Sequence, residues 1–364
     1  MSLRFAHRIE RLRARMDDPF LEAYLITSRP NVRYLSGFTG SAGSLLIGRD
    51  FAVLLTDKRY TLRALKEAPG FEVIVPENPD DDVLKTQMET RALRKIGFEA
   101  NHVTVKTLEG WREKYGEMGV EWIATSGVVE ELRLVKDAEE IACIRQACGI
   151  ADAAFNHIRL FMQPETVELD VAMELEFYMR RQGARRPAFD SIVASGENSA
   201  IPHAETSERR FRPGDFVTLD FGAEVDGYCS DITRTVVIGK ATEEQRRIYQ
   251  TVLEAQLRAI DAIKPGVKGC DVDAVARQVI TDAGYGDYFT HSLGHSLGLS
   301  VHDGMGFAQK SEVVLQPGMV FTVEPGIYIE GVGGVRIEDD VLVTEYGVEV
   351  LTRAPKELME FPAG

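Results

Sequence analysis

The sequence predicts an α/β domain followed by a larger α+β domain. Three observations carry that expectation. The chain has 364 residues, its first third alternates short apolar runs with helical patterns, and the rest sets long helices among strands closed by Asp-Gly, Gly-Gly and Pro-Gly turns. A chain of that length exceeds what one core usually organises. In the first part AYLITS (23–28), SLLIG (44–48), FAVLLT (51–56), FEVIVP (71–76) and KIGFEA (95–100) read as strands. Residues 57–67, 80–94 and 105–116 read as helices between or after them, which predicts a largely buried sheet. Leu3, Ala6, Ile9 and Leu12 fall at helical spacing in a charged N-terminal stretch with no apolar centre, so this helix does not read as a signal peptide. A long helical pattern opens at Val128 and breaks near Lys136-Asp137, which places the expected domains at 1–127 and 128–364. Further long helices are expected at 138–162, 168–182, 242–263 and 270–283.

Composition narrows the function. Acids outnumber bases 57 to 42, a net charge of −15, so no basic excess exists to meet nucleic-acid phosphates or an anionic membrane. No apolar run approaches the length of a membrane-spanning helix. The four cysteines, at 143, 148, 229 and 270, have no zinc spacing and are too few for a disulfide framework. Reduced thiols are expected, which suits the cytoplasm. GFTGSAGS lacks the GK[ST] of a phosphate loop and reads as a turn between strands.

The chemistry begins at LDFGAEVDGYCSDITRT, residues 219–235. Asp220 lies inside an apolar strand, and Asp231 follows after an Asp226-Gly227 turn signal. A two-residue turn pairs Asp220 with Thr233, and a four-residue loop puts Asp220 opposite Asp231. Both registers place the carboxylates on one face. Pairing with arginines is the bland alternative, although Arg234 points to the other face. Glu324 follows another apolar run in FTVEPGIYI, and in GVRIEDDVLV Arg336 and Glu338 share a face opposite Val335, Ile337 and Asp339. Four acids buried in apolar strands cannot all be ionised without cations, and a dinuclear metal site resolves the conflict. His203, His291, His295 and His302 fall in IPHAE and HSLGHSLGLSVHD, whereas His7, His102 and His157 stand apart from other chemistry.

Together these residues resemble the metallopeptidase family of aminopeptidase P, prolidase, methionine aminopeptidase and creatinase, with its "pita-bread" fold. LDFGA, SDITRT, GHSLGL, VEPGIY and VRIED occur in the family's order. The resemblance implies five ligands to two divalent metal ions: Asp220, Asp231, His295, Glu324 and Glu338. Four carboxylates and one imidazole suit manganese or cobalt best, with zinc an alternative. NVRYLSGFTGSAGSLLI and LLTDKRYTLRA resemble the creatinase-type N-terminal domain, which simple methionine aminopeptidases lack. Retention of all five ligands speaks against creatinase itself. The resemblance further implies that Glu324 moves the proton, that His302 stabilises the tetrahedral intermediate, and that His203 and His291 line the pocket around a proline. Arg336 is expected to orient Glu338 or to meet an acid of a neighbouring chain, a plain salt bridge being the alternative. The implied activity is hydrolysis before proline in small peptides, by an Xaa-Pro dipeptidase. An Xaa-Pro aminopeptidase for longer peptides is the alternative, and a non-catalytic binding module a more distant one. A homodimer is implied as well.

Overall fold

The computed structural model describes residues 3–17 and 20–362. The chain divides into two compact units, Met1–Arg133 and Leu134–Gly364. The first is an α/β unit. Its strands are β1 (Ala23–Ile26), β2 (Gly43–Gly48), β3 (Ala52–Thr56), β4 (Glu72–Ile74), β5 (Lys95–Glu99) and β6 (Glu121–Thr125). They form one mixed sheet in the order β4-β3-β2-β1-β5-β6. The expected strands are present. EWIAT adds β6 at the edge, where it pairs parallel to β5. Among the described residues, the α-helices that accompany the sheet are α1 (Leu3–Ala14), α2 (Arg29–Ser36), α3 (Thr61–Glu67), α4 (Val83–Thr90), α5 (Val105–Tyr115) and α6 (Val128–Leu134). The sequence reading lacks α2, which begins with proline in its first turn and stops at Gly37 in a left-handed conformation.

The second unit holds four longer helices, α7 (Ala138–Ile158), α8 (Glu168–Arg181), α9 (Glu243–Ala262) and α10 (Gly269–Asp282). The break before α7 has a local cause. Asp137 caps the helix with a reciprocal capping box to Glu140, so the chain starts a new helix there instead of continuing α6. The strands are β7 (Arg186–Pro187), β8 (Ile192–Ser195), β9 (Phe216–Phe221), β10 (Ala223–Val225), β11 (Tyr228–Cys229), β12 (Ile232–Ile238), β13 (Val320–Val323), β14 (Gly326–Ile329), β15 (Gly333–Arg336), β16 (Asp339–Val343), β17 (Val348–Val350) and β18 (Glu360–Phe361). One sheet runs β18-β12-β9-β8 and a second β13-β16-β17.

Among the described residues, the two larger apolar clusters of this unit support these sheets. Helices α7 and α8 pack against β8, β9 and β12 through residues such as Phe155, Leu175, Leu219 and Val236. Helices α9 and α10 pack against β13 and β16 through Ile248, Val252, Phe321 and Val341. Every position of β9, β12 and β16 is buried. Their polar side chains therefore face protein on both sides, and each must find a partner inside.

Candidate metal centre

The β9–β12 hairpin adopts the two-residue turn. Val225 pairs with Tyr228 around Asp226 (φ 45°) and Gly227 (φ 79°), and Asp220 pairs with Thr233. The ribbon changes sheet midway, because β9 and β10 belong to different sheets on either side of Gly222. A Cβ at Gly222 would lie 1.9 Å from the Ser230 carbonyl oxygen, so only glycine lets the two backbones approach this closely. At this bend Asp231 leaves the ladder, and its N–H donates to Asp340 Oδ2 at 2.9 Å.

All nine side chains expected at the site line one cavity of about 260 Å³. Asp231, His295 and Glu338 each offer a ligand atom, and the three atoms lie within 4.8 Å of one another. His295 Nδ1 faces the Ser296 carbonyl at 3.2 Å, which fixes the proton there. Its Nε2 then points at Asp231 Oδ2 and Glu324 Oε1, each 3.5 Å away. One imidazole nitrogen and two carboxylate oxygens thus converge, atoms of the type that hold a metal ion. Asp220 Oδ1 and Asp231 Oδ1 are also buried with no hydrogen-bond partner. Burial and the neighbouring carboxylates Glu338 and Asp220 push Asp231 well above the carboxylate range, and burial with Glu324 and Asp220 does the same to Glu338. This donor set fits divalent cations.

Around the acids runs a hydrogen-bonded frame. Arg336 donates to Asp220 Oδ2 at 2.6 Å, to Thr233 Oγ1 at 3.1 Å, to Tyr328 Oη at 2.8 Å and to the Pro202 carbonyl at 3.1 Å. Thr233 in turn donates to Glu338 Oε2 at 2.5 Å. The guanidinium thus meets Asp220 directly and Glu338 only through a hydroxyl, because the register places Thr233, not Glu338, opposite Asp220. Tyr328 Oη donates a hydrogen bond to His291 Nε2 at 2.9 Å, since His291 Nδ1 already donates to the Ser292 carbonyl at 2.8 Å. Burial lowers the His291 pKa to about 4, leaving a neutral ring at neutral pH. His302 lies with its ring 4.1 Å from that of His295. Below this loop Lys136 and Asp303 form an ion pair at 3.6 Å, both side chains 1% exposed.

Arg234 faces away from the acids, as alternation predicts, and is fully committed. It donates to Asp339 Oδ1 at 2.7 Å and to the Ala354 carbonyl at 2.7 Å. His157 stacks on Tyr178 at 4.1 Å and meets Glu174, a packing role apart from the cavity. Sequence reasoning missed Tyr328, Thr233 and the apolar wall of Phe189, Ile192 and Val301. Tyr328 carries no signal in the sequence, and only the structure shows how its ring is accommodated. A Cβ at Gly326 would lie 2.4 Å from its hydroxyl, so the glycine two residues earlier makes room for the ring.

The profile of metallopeptidase family M24 matches residues 142–345, and that of the creatinase/prolidase N-terminal domain matches residues 8–135. The chain belongs to metallopeptidase family M24. It is similar to an Xaa-Pro dipeptidase from Bacillus anthracis, with 47% identity, TM-score 0.95, and 98% of this chain and 99% of that one covered. An Xaa-Pro dipeptidase from Pyrococcus furiosus is 40% identical, over 97% of this chain and 99% of its own. An X-Pro aminopeptidase from Thermotoga maritima is also 40% identical, with TM-score 0.89, and 97% of this chain and 99% of that one covered. As an M24 enzyme with the creatinase-type domain, the chain has the two-domain pita-bread architecture that its sequence predicts.

Proposed function

We propose that this enzyme is an Xaa-Pro dipeptidase whose two divalent metal ions, with manganese favoured, are held by Asp220, Asp231, His295, Glu324 and Glu338. The observation that carries the metal site is the convergence of His295 Nε2 with the Asp231 and Glu324 carboxylates in one cavity. Near-full-length similarity to proteins named as Xaa-Pro dipeptidases supports the substrate class. Bound cations supply Lewis-acid activation of water and of the scissile carbonyl. Glu324, raised by burial against the opposing effects of His295 and Arg336, takes a proton and returns it to the leaving nitrogen. That return matters before proline, where the amide nitrogen carries no hydrogen. His302 donates to the developing oxyanion. His203 and His291 flank the proline, and Arg336 holds Asp220 and the neighbouring loop in place. The same reading carries a cytoplasmic homodimer.

One observation favours a second reading, an aminopeptidase acting on longer peptides. Among the described residues lining the cavity, Arg336 is the one lysine or arginine, and it is already bonded to four protein groups. A free proline carboxylate therefore meets imidazoles and no uncommitted fixed cation. Hydrolysis of Ala-Pro and Ala-Pro-Ala by the metal-loaded enzyme, with a chelated control, separates the two. Cleavage of Ala-Pro is expected, and cleavage of the tripeptide alone sinks the dipeptidase reading.

A further inference from the structure

We infer that Glu168 is a positioning residue for the loop 195–207 that carries His203 to the cavity; this rests on the proposed contact of His203 with the proline side of the substrate. Glu168 opens α8 and is wholly buried. Its Oε1 accepts from Ser195 N and Ser195 Oγ, both at 2.7 Å. Its Oε2 accepts from Ser207 Oγ at 2.6 Å and Ser207 N at 3.1 Å. Asn198 Nδ2 lies 3.2 and 3.3 Å from the two oxygens. One carboxylate therefore ties together both ends of the loop and a residue inside it.

The crown of the loop is fixed from the opposite side. Arg336 donates to the Pro202 carbonyl, and Ser199 Oγ accepts from Gly334 N at 2.9 Å. A Cβ at Gly334 would lie 2.0 Å from the Ser199 carbonyl oxygen, so the loop rests directly on β15. With its feet on Glu168 and its crown against Arg336, the loop has little freedom to move His203. All the atoms that Glu168 meets are donors, which demands a group that only accepts. An amide of the same shape would turn an NH₂ toward a donor whichever way it rotated.

Glu168→Gln should raise KM for an Xaa-Pro dipeptide about tenfold while kcat changes less than about threefold, the pattern of lost binding without lost chemistry. In a His203→Ala background the same change should add almost nothing to KM, because both act through one side chain. Amide hydrogen exchange over residues 195–207 should rise in Glu168→Gln regardless of substrate. Ser207→Ala, which removes one tie, should move KM and exchange in the same direction, and serves if Glu168→Gln fails to fold. Independent multiplication of the two KM effects overturns the inference, as does unchanged exchange. A wild-type enzyme that cuts no Xaa-Pro peptide refutes the functional reading, and the exchange result still decides the clamp.

Discussion

His291 illustrates how one side chain reports its surroundings. Its folded pKa of about 4 lies below the ordinary 6.5 because burial opposes the charged ring. As pH falls from about 6.5 to about 4, the unfolded chain takes up a proton that the folded chain refuses. The contribution of this group to stability must therefore decline across that window. The decline attributable to this group is up to about 3 kcal/mol. Urea unfolding of wild type and His291→Asn at pH 7.5 and 4.5 checks it: the variant should lose less stability on acidification, and equal losses would refute the assignment. Tyr328 makes a second prediction. Its hydroxyl accepts from Arg336 and donates to His291, so Tyr328→Phe takes one hydrogen bond from each of them. About 1–3 kcal/mol of stability should go, with a loss of kcat/KM, and calorimetry with steady-state kinetics measures both. Neither Tyr328 nor Thr233 was legible as a site residue beforehand. Acids in apolar strands announce themselves by the burial they violate, whereas a buried tyrosine or threonine violates nothing.

The element that builds the site is the ribbon from β9 to β12, and it depends on its bend. Gly222→Ala would drive a methyl group against the Ser230 carbonyl. It should destabilise the protein by about 2 kcal/mol or more and displace Asp231, with metal content by elemental analysis falling alongside the melting temperature. Much of this ribbon was readable. Asp226-Gly227 marked the turn, and either loop of even length puts both aspartates on one side. The choice between two registers was not readable, because either satisfies alternation; the positive φ angles at Asp226 and Gly227 reveal the two-residue turn. Helix α2 escaped for a different reason. RPNVRYLS is eight residues long and holds a proline and an asparagine, and Asn31 is buried against Glu99 at 2.7 Å. A tertiary hydrogen bond, invisible in a periodicity, supports a helix of low intrinsic propensity.

For the whole molecule, the buried acids couple folding to cations. Without metal, Asp231, Glu324 and Glu338 have folded pKa values raised above their unfolded ones. The folded apoprotein then binds more protons than the unfolded chain, so its stability rises as pH falls through those raised values. Metal relieves the same repulsion at neutral pH. The gap in melting temperature between metal-loaded and chelated protein should be wide at pH 7.5 and narrow toward pH 5.5; a gap independent of pH would count against the carboxylate cluster as its source. The division into an α/β and an α+β part was legible because strand and helix patterns change character along the chain. The joining of separate cores beneath one cavity was not, since it depends on pairings between residues about a hundred positions apart, such as Thr233 with Glu338. One such pairing bears on how the protein is made. Arg234, next to Thr233 in the sheet, donates to the Ala354 and Pro355 carbonyls, and Lys356 reaches Asp339 at 2.6 Å. A nascent chain that has emerged from the ribosome only as far as Val350 already contains every residue of the cavity. It still lacks the segment that neutralises and wedges the strands behind it, so the catalytic unit cannot complete its native arrangement before Lys356 has emerged.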